Sequence, residues 1–176
     1  MYPYLRLGLE LALARRAPAL PIDGVHVTRI TCRLGDIDLW GELNNGRTLT
    51  LYDLGRVPLA LRTGLVAALR RNGWGLAVAG ASVRYRRRVR AFQRLEIRSA
   101  YVGRDPRFLY VHQAMFRAGA PVSSVLIRGA VTSADGIVAT DRVMEALGAD
   151  AALPVPPWVG AWADADARRP WPPDLS

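Results

Sequence analysis

The chain contains no lysine. Its 24 basic residues are all arginine, against 15 acidic residues, so the formal net charge is +9. Planar guanidinium groups grip phosphates through two parallel hydrogen bonds, so such a surface suits a polyanionic partner. Charge alone does not choose which one. Cysteine is almost missing too. The single Cys32 excludes an internal disulfide and a cysteine-based metal site. The two histidines, His26 and His112, have no metal-ligand spacing between them. No apolar run is long enough to span a bilayer. Arg and Glu interrupt the apolar residues at the start, which breaks the order of a signal peptide. A cytoplasmic protein with no membrane span is the expectation. Internal repeats and low-complexity tracts are also absent.

Apolar residues make up 51% of 176, which argues against disorder and for one domain with a real core. Residues 1–24 read as a helix and a linker. Leu5, Leu9 and Leu13 recur every four residues, and Arg6 with Glu10 adds a helical pair, so a short helix over Tyr2–Arg16 should pack on the body. Pro18, Pro21 and Gly24 mark the linker. Residues 25–150 carry the main domain. Residues 151–176 hold six prolines and three tryptophans, Trp158, Trp162 and Trp171. A free tail rarely exposes that much indole, so this one should cover apolar surface on the body or a partner subunit.

Within the main domain, Val25–Leu34 alternates and is rich in β-branched residues, so it reads as a strand. His26 should have a structural role there. A helix is predicted from Asn45 to about Arg56, interrupted by Pro58 and restarted over Leu59–Arg71 until Asn72–Gly73. Leu49, Tyr52, Val57, Leu61, Leu65 and Leu69 would form its buried side. Gly75–Val89 reads as a strand that places Arg84, Arg86, Arg88 and Arg90 on one face. Arg94–Val102, Phe108–Arg117 and Val122–Val131 are further strands, joined by turns at 103–106 and 118–121. His112 lies mid-strand as a satisfied histidine. Thr140 or Asp141 caps a last helix ending at Gly148. One helix followed by antiparallel strands predicts an α+β fold, with a long central helix wrapped by a curved antiparallel sheet.

The chain turns on Gly35–Arg56, GDIDLWGELNNGRTLTLYDLGR. It combines two carboxylates, Asp36 and Asp38, a turn at Trp40–Gly41–Glu42, and an Asn pair able to cap a helix. Carboxylates beside the open N–H groups of a helix N-terminus suit a reaction in which a carbonyl oxygen becomes an oxyanion.

The spacing Asp36-x-Asp38-x-x-Gly41-x-x-Asn44-Asn45, followed by a helix, resembles the signature of hotdog-fold thioesterases of the 4-hydroxybenzoyl-CoA thioesterase type. It is most similar to the branch of thioesterase superfamily member 6-like proteins. The family usually has His where Glu42 stands. The resemblance covers about Val25–Leu147 and implies the hotdog fold, hydrolysis of an acyl-CoA, no cofactor, and a homodimer or tetramer. It assigns the catalytic carboxylate, as base or nucleophile, to Asp38. Glu42 could share or take over the base role. Of the two Asp residues, one should face the site and the other should face away or bind the loop. Backbone N–H groups around Gly41, Asn44 and Asn45 would polarise the thioester carbonyl, and Asn45 could also orient the water. Arg86 and Arg87 are the candidates for coenzyme A phosphates. Two other readings stand beside it. One is a non-hydrolytic acyl-CoA or acyl-carrier binding protein on the same fold. The other is a basic module for nucleic acid or lipid, for which the arginine run is a weak signal because Tyr85 is its one interleaved aromatic. No nucleic acid partner is expected.

Overall fold

The structure, a computed structural model, describes residues 2–149 and 153–173. Six antiparallel strands form one curled sheet: β1 (His26–Thr31), β2 (Gly75–Tyr85), β3 (Arg94–Arg104), β4 (Leu109–Arg117), β5 (Ala120–Ser133) and β6 (Gly136–Ile137). Their order is β1-β3-β4-β5-β2, with β6 added to β5. The alternation legible in β3 holds, with Leu95, Ile97, Ser99 and Tyr101 all buried. The turn after it comes later than the sequence suggests. β3 runs to Arg104, and Asp105 turns the chain by accepting the backbone N–H groups of Arg107 and Phe108.

The long helix α2 (Asn45–Arg62) lies in the curl of the sheet. Its buried side is Leu51, Tyr52, Leu54, Gly55 and Leu59. Leu49 is exposed, and Val57 and Leu61 are half-buried, so the predicted face is rotated. Gly55 decides that rotation. A Cβ there would stand 2.6 Å from Ser99 Oγ on β3, so only glycine lets the helix approach this strand so closely.

Pro58 does not end the helix. Proline lacks the N–H that would bond the Leu54 carbonyl one turn back. The Thr28 hydroxyl on β1 takes that place, donating to Leu54 O at 3.1 Å. The break comes instead at Gly64, whose φ of +82° is left-handed, and α3 (Leu65–Asn72) follows. Because the Thr28 proton is committed to Leu54, His26 Nε2, 2.9 Å from Thr28 Oγ1, must be the donor in that pair. Its Nδ1 then accepts from Arg62 Nη1 at 3.0 Å. Burial, and then the nearby Arg62 charge, push the His26 pKa down to about 4, so the ring is neutral.

The N-terminal helix α1 (Tyr4–Arg16) packs on α2, but not through the predicted leucines. Ala14 is buried and Leu7 reaches the core, whereas Leu5, Leu9 and Leu13 are 93%, 60% and 52% exposed. The arginine run is not a strand either. β2 stops at Tyr85, where the N–H groups of Arg86 and Arg87 both turn to Val122 O. Val89 then points into the core while its carbonyl accepts Leu43 N–H at 2.8 Å. Arg84, Arg86, Arg88 and Arg90 therefore share no face.

Helix α4 (Thr140–Leu147) has Ala139 at its N-cap; the Thr140 hydroxyl donates to Asp105 O instead of capping. The tail forms a helix the sequence reading lacked, α5 (Pro157–Ala167), on the outer face of the sheet. Val159, fully buried, and Trp162 pack on Tyr110 and Leu126, and Asp166 pairs with Arg128 at 2.7 Å. Trp171 stays exposed. The expected domain boundary at 150/151 lies outside the described residues. No helix among the described residues is long and apolar enough to cross a membrane.

The His26 pKa sets a pH dependence. Between the ordinary value of 6.5 and about 4 the unfolded chain binds a proton that the folded chain refuses, so stability rises with pH across that window and is lost as pH falls through it. His26→Gln keeps a donor for Thr28 and an acceptor for Arg62 but cannot titrate. Urea unfolding from pH 4 to 7 should show a flatter pH profile for the variant; an unchanged slope would remove His26 as the cause.

Candidate functional site

The site is built where β1 passes into α2. A short 3-10 turn (Leu34–Asp36) buries Asp36, and an isolated bridge between Ile37 and Leu43 closes a tight loop. Asp36 Oδ2 accepts the Arg33 N–H at 2.9 Å and Arg6 Nη1 at 2.8 Å. Its Oδ1 accepts Arg47 Nη2 at 2.7 Å. Burial alone would raise this carboxyl's pKa; the Arg33 amide and the two guanidinium groups outweigh it, so it stays ionised below the usual carboxylate range. One residue thereby ties α1 to the loop and to the first turn of α2.

Asp38 has a different task. Its Oδ1 accepts the N–H groups of Trp40 at 2.9 Å and Glu42 at 3.3 Å, and its own N–H donates to Glu42 O at 2.8 Å. Gly41, with φ +75°, supplies the left-handed residue of this turn. The two Asp residues do different work, but neither lines the cavity at the start of α2, so the expectation that one of them faces the site does not hold. Asp36 binds the structure, and Asp38 holds the loop that carries Glu42. Asn44 caps α2, its Oδ1 accepting Arg47 N–H at 3.1 Å. The amides of Asn45 and Gly46, next in the helix, have no protein partner among the described residues.

Beside that helix end lies a cavity of about 260 Å³. Glu42, Asn45, Arg86 and Arg87 line it, four of the seven residues singled out in the sequence. Asp38, Gly41 and Asn44 are not on its wall; they shape the loop and cap behind it. Glu42 forms an ion pair with Arg88 at 3.1 Å. Arg86 and Arg87 have no ion-pair partner among the described residues.

The other lining residues escaped the sequence reading as site residues, among them the hydroxyl-bearing Thr48, Tyr85 and Ser123. Tyr85 donates to Asn45 O at 3.3 Å, and Ser123 shares a 2.9 Å hydrogen bond with Tyr52. Tyr52 is fully buried in the core, the role expected of it. Ser123 had a legible signal, because it is a polar residue on the strand face that otherwise carries Val125, Ile127 and Val131. Among the described residues no group of three or more His, Cys, Asp or Glu could hold a metal ion.

A curled antiparallel sheet around one long helix, with the candidate site at the helix N-terminus, defines a hotdog-fold protein. A family model described as the thioesterase-like superfamily matches residues 32–163, and the chain belongs to that superfamily. It is 35% identical to Protein THEM6 of Xenopus laevis over 78 residues, which cover 44% of this chain and 38% of the frog protein. Solved structures agree in fold. DHNA-CoA thioesterase from Staphylococcus aureus is 15% identical, with a TM-score of 0.62 over 81% of this chain and 91% of that one. YbaW from Escherichia coli is 19% identical, with a TM-score of 0.65 over 69% and 96%.

Asp36→Asn should destabilise the protein by about 3 kcal/mol, because it leaves two inward-turned guanidinium groups without their carboxylate. Urea denaturation measures this. A change under about 0.5 kcal/mol, the range of an ordinary surface substitution, would show that Asp36 does not hold the loop.

Proposed function

We propose that the protein is an acyl-CoA thioesterase that hydrolyses an acyl thioester to the free acid and coenzyme A. The observation that carries the proposal is the cavity at the start of α2. It brings together a carboxylate, Asn45 at the open end of the helix with the Gly46 amide next to it, and two guanidinium groups without ion-pair partners among the described residues. Glu42 takes a proton from a water as that water attacks the thioester carbonyl. The open amides of Asn45 and Gly46 meet the oxyanion as it forms. Collapse expels the coenzyme A thiolate. Arg86 and Arg87 hold the phosphates. Asp38, the carboxylate the family resemblance points to, acts through Glu42 here by fixing its backbone. The family resemblance would instead make Asp38 itself the nucleophile or base, and comparing Asp38→Asn with Glu42→Gln separates the two assignments.

The Glu42–Arg88 ion pair favours a second reading, an acyl-CoA or acyl-carrier binding protein that does not hydrolyse, since it already engages one oxygen of the cavity carboxylate. The organisation we infer is an N-terminal helix and linker, a hotdog domain, and a C-terminal packing tail. The protein works as a homodimer. β2 lies at the sheet edge, with nearly all of its 11 residues exposed, including Leu76 and Val78. An unpaired edge of that length is a template for pairing with a second copy.

Thiol release from short, long and aromatic acyl-CoAs tests the activity. Glu42→Gln should lower kcat by about 100-fold or more, the scale of a lost general base, whereas Asp38→Asn keeps an Oδ1 that can accept from Trp40 and Glu42 and should cost far less. Full activity in Glu42→Gln would return the base to Asp38. Full activity in both would sink the mechanism, and binding without turnover in the wild type would establish the second reading. Sedimentation should report a dimer that Val78→Arg weakens toward monomer. A wild-type monomer would contradict the edge pairing.

A further inference from the structure

We infer that the outer face of the sheet carries a second binding site, beside α5, for a purine nucleotide bearing a phosphate. The cleft there has a volume of about 390 Å³, within the range of small-ligand sites. Its floor comes from three neighbouring strands. Ser82 and Arg84 stand on β2, Ser124 on β5 and His112 on β4, and the sheet register sets Arg84 opposite Ser124. Trp158 and Trp162 of α5 form the wall.

The polar groups in this cleft are uncommitted. Among the described residues Arg84 has no ion pair, the two serine hydroxyls have no hydrogen bond, and the imidazole nitrogens of His112 have none. His112 makes an edge contact with Trp158, ring centroids 5.2 Å apart. Trp158, in the first turn of α5, is 50% exposed. Open indole surface takes a planar ring by stacking. A free guanidinium takes a phosphate. Hydroxyls and an imidazole with free nitrogens can bond both the donors and the acceptors on the edge of a base. Burial lowers the His112 pKa, which keeps a lone pair on the ring near neutral pH.

The position of the cleft relates it to the candidate active site. Arg84 and Tyr85 are consecutive at the end of β2 and so face opposite sides of the sheet. Tyr85 lines the cavity at the start of α2, and Arg84 lines the cleft. Arg86–Arg88 follow, where the chain has left the strand. A coenzyme A whose thioester lies at Glu42 could pass round that strand end and seat its nucleotide between Arg84 and the indoles. This part of the inference rests on the acyl-CoA reading. A free nucleotide has the same chemistry and needs no such reading.

Adenosine 3′,5′-bisphosphate, titrated calorimetrically into the full chain, tests the site. The wild type should bind it, and Arg84→Ala and Trp158→Ala should each weaken binding about tenfold, the scale of one lost stacking or phosphate contact. Both side chains are exposed enough that the variants should fold. The two sources of the nucleotide separate in kinetics. A rise of similar size in KM for acyl-CoA at unchanged kcat would assign the site to the substrate's own nucleotide. An unchanged KM would assign it to a free nucleotide. No binding by the wild type, or equal binding by both variants, overturns the site. Hydrolysis without bisphosphate binding would refute this site alone, and bisphosphate binding without hydrolysis would refute the proposed activity alone.

Discussion

A single buried carboxylate organises the working end of this molecule. Asp36 accepts from a backbone amide on its own loop, from Arg6 on α1 and from Arg47 on α2. Three segments distant in sequence meet on one side chain. Burying a charge is costly unless it is paired and hydrogen-bonded, and here both oxygens are satisfied. The consequence is positional. With the loop pinned at Asp36, the Asp38 turn has a fixed base, Glu42 is carried to the cavity, and Asn44 meets the helix end it caps.

A second device sits at the opposite end of α2. Pro58 would ordinarily break the helix by leaving the Leu54 carbonyl bare. Thr28 on β1 supplies the missing donor, and His26 and Arg62 complete the chain of hydrogen bonds. The proline thus turns a helix defect into a link between helix and sheet. Gly55, between the two devices, brings α2 against β3. Cap, close approach and proline link act along one helix and set how it lies on the sheet. That placement decides where its open N-terminal amides stand.

Much of the fold was legible. Alternation in β3, the caps and stops around Asn44, Gly73 and Gly148, and the Asp-x-Asp-x-x-Gly-x-x-Asn-Asn spacing are local patterns, and local patterns report local geometry. The misreadings share one cause. The Leu5, Leu9 and Leu13 stripe looked like a packing face, yet the opposite side of α1 meets the body because Arg6 is drawn to Asp36. The arginine run alternated like a strand, yet Val89 is pulled into the core and takes the chain off the sheet. Pro58 looked like a break because its substitute donor is thirty residues away in sequence. In each case a contact remote in the chain overrode a local preference.

The sequence by itself determined the α+β class, the capped helix, the carboxylate-bearing loop before it and the arginine-only charge. These follow from residue periodicity, capping chemistry and side-chain pKa, all properties of neighbours along the chain. Only the tertiary structure decided which carboxylate reaches the cavity and which holds the turn. It alone placed Thr48, Tyr85 and Ser123 beside Glu42, and Trp158 and Trp162 over the outer face of the sheet. Those outcomes depend on how a rigid helix, a curled sheet and a buried ion-pair cluster fit together in space. Strand register and close packing fix that fit, and neither is written in any one stretch of the chain.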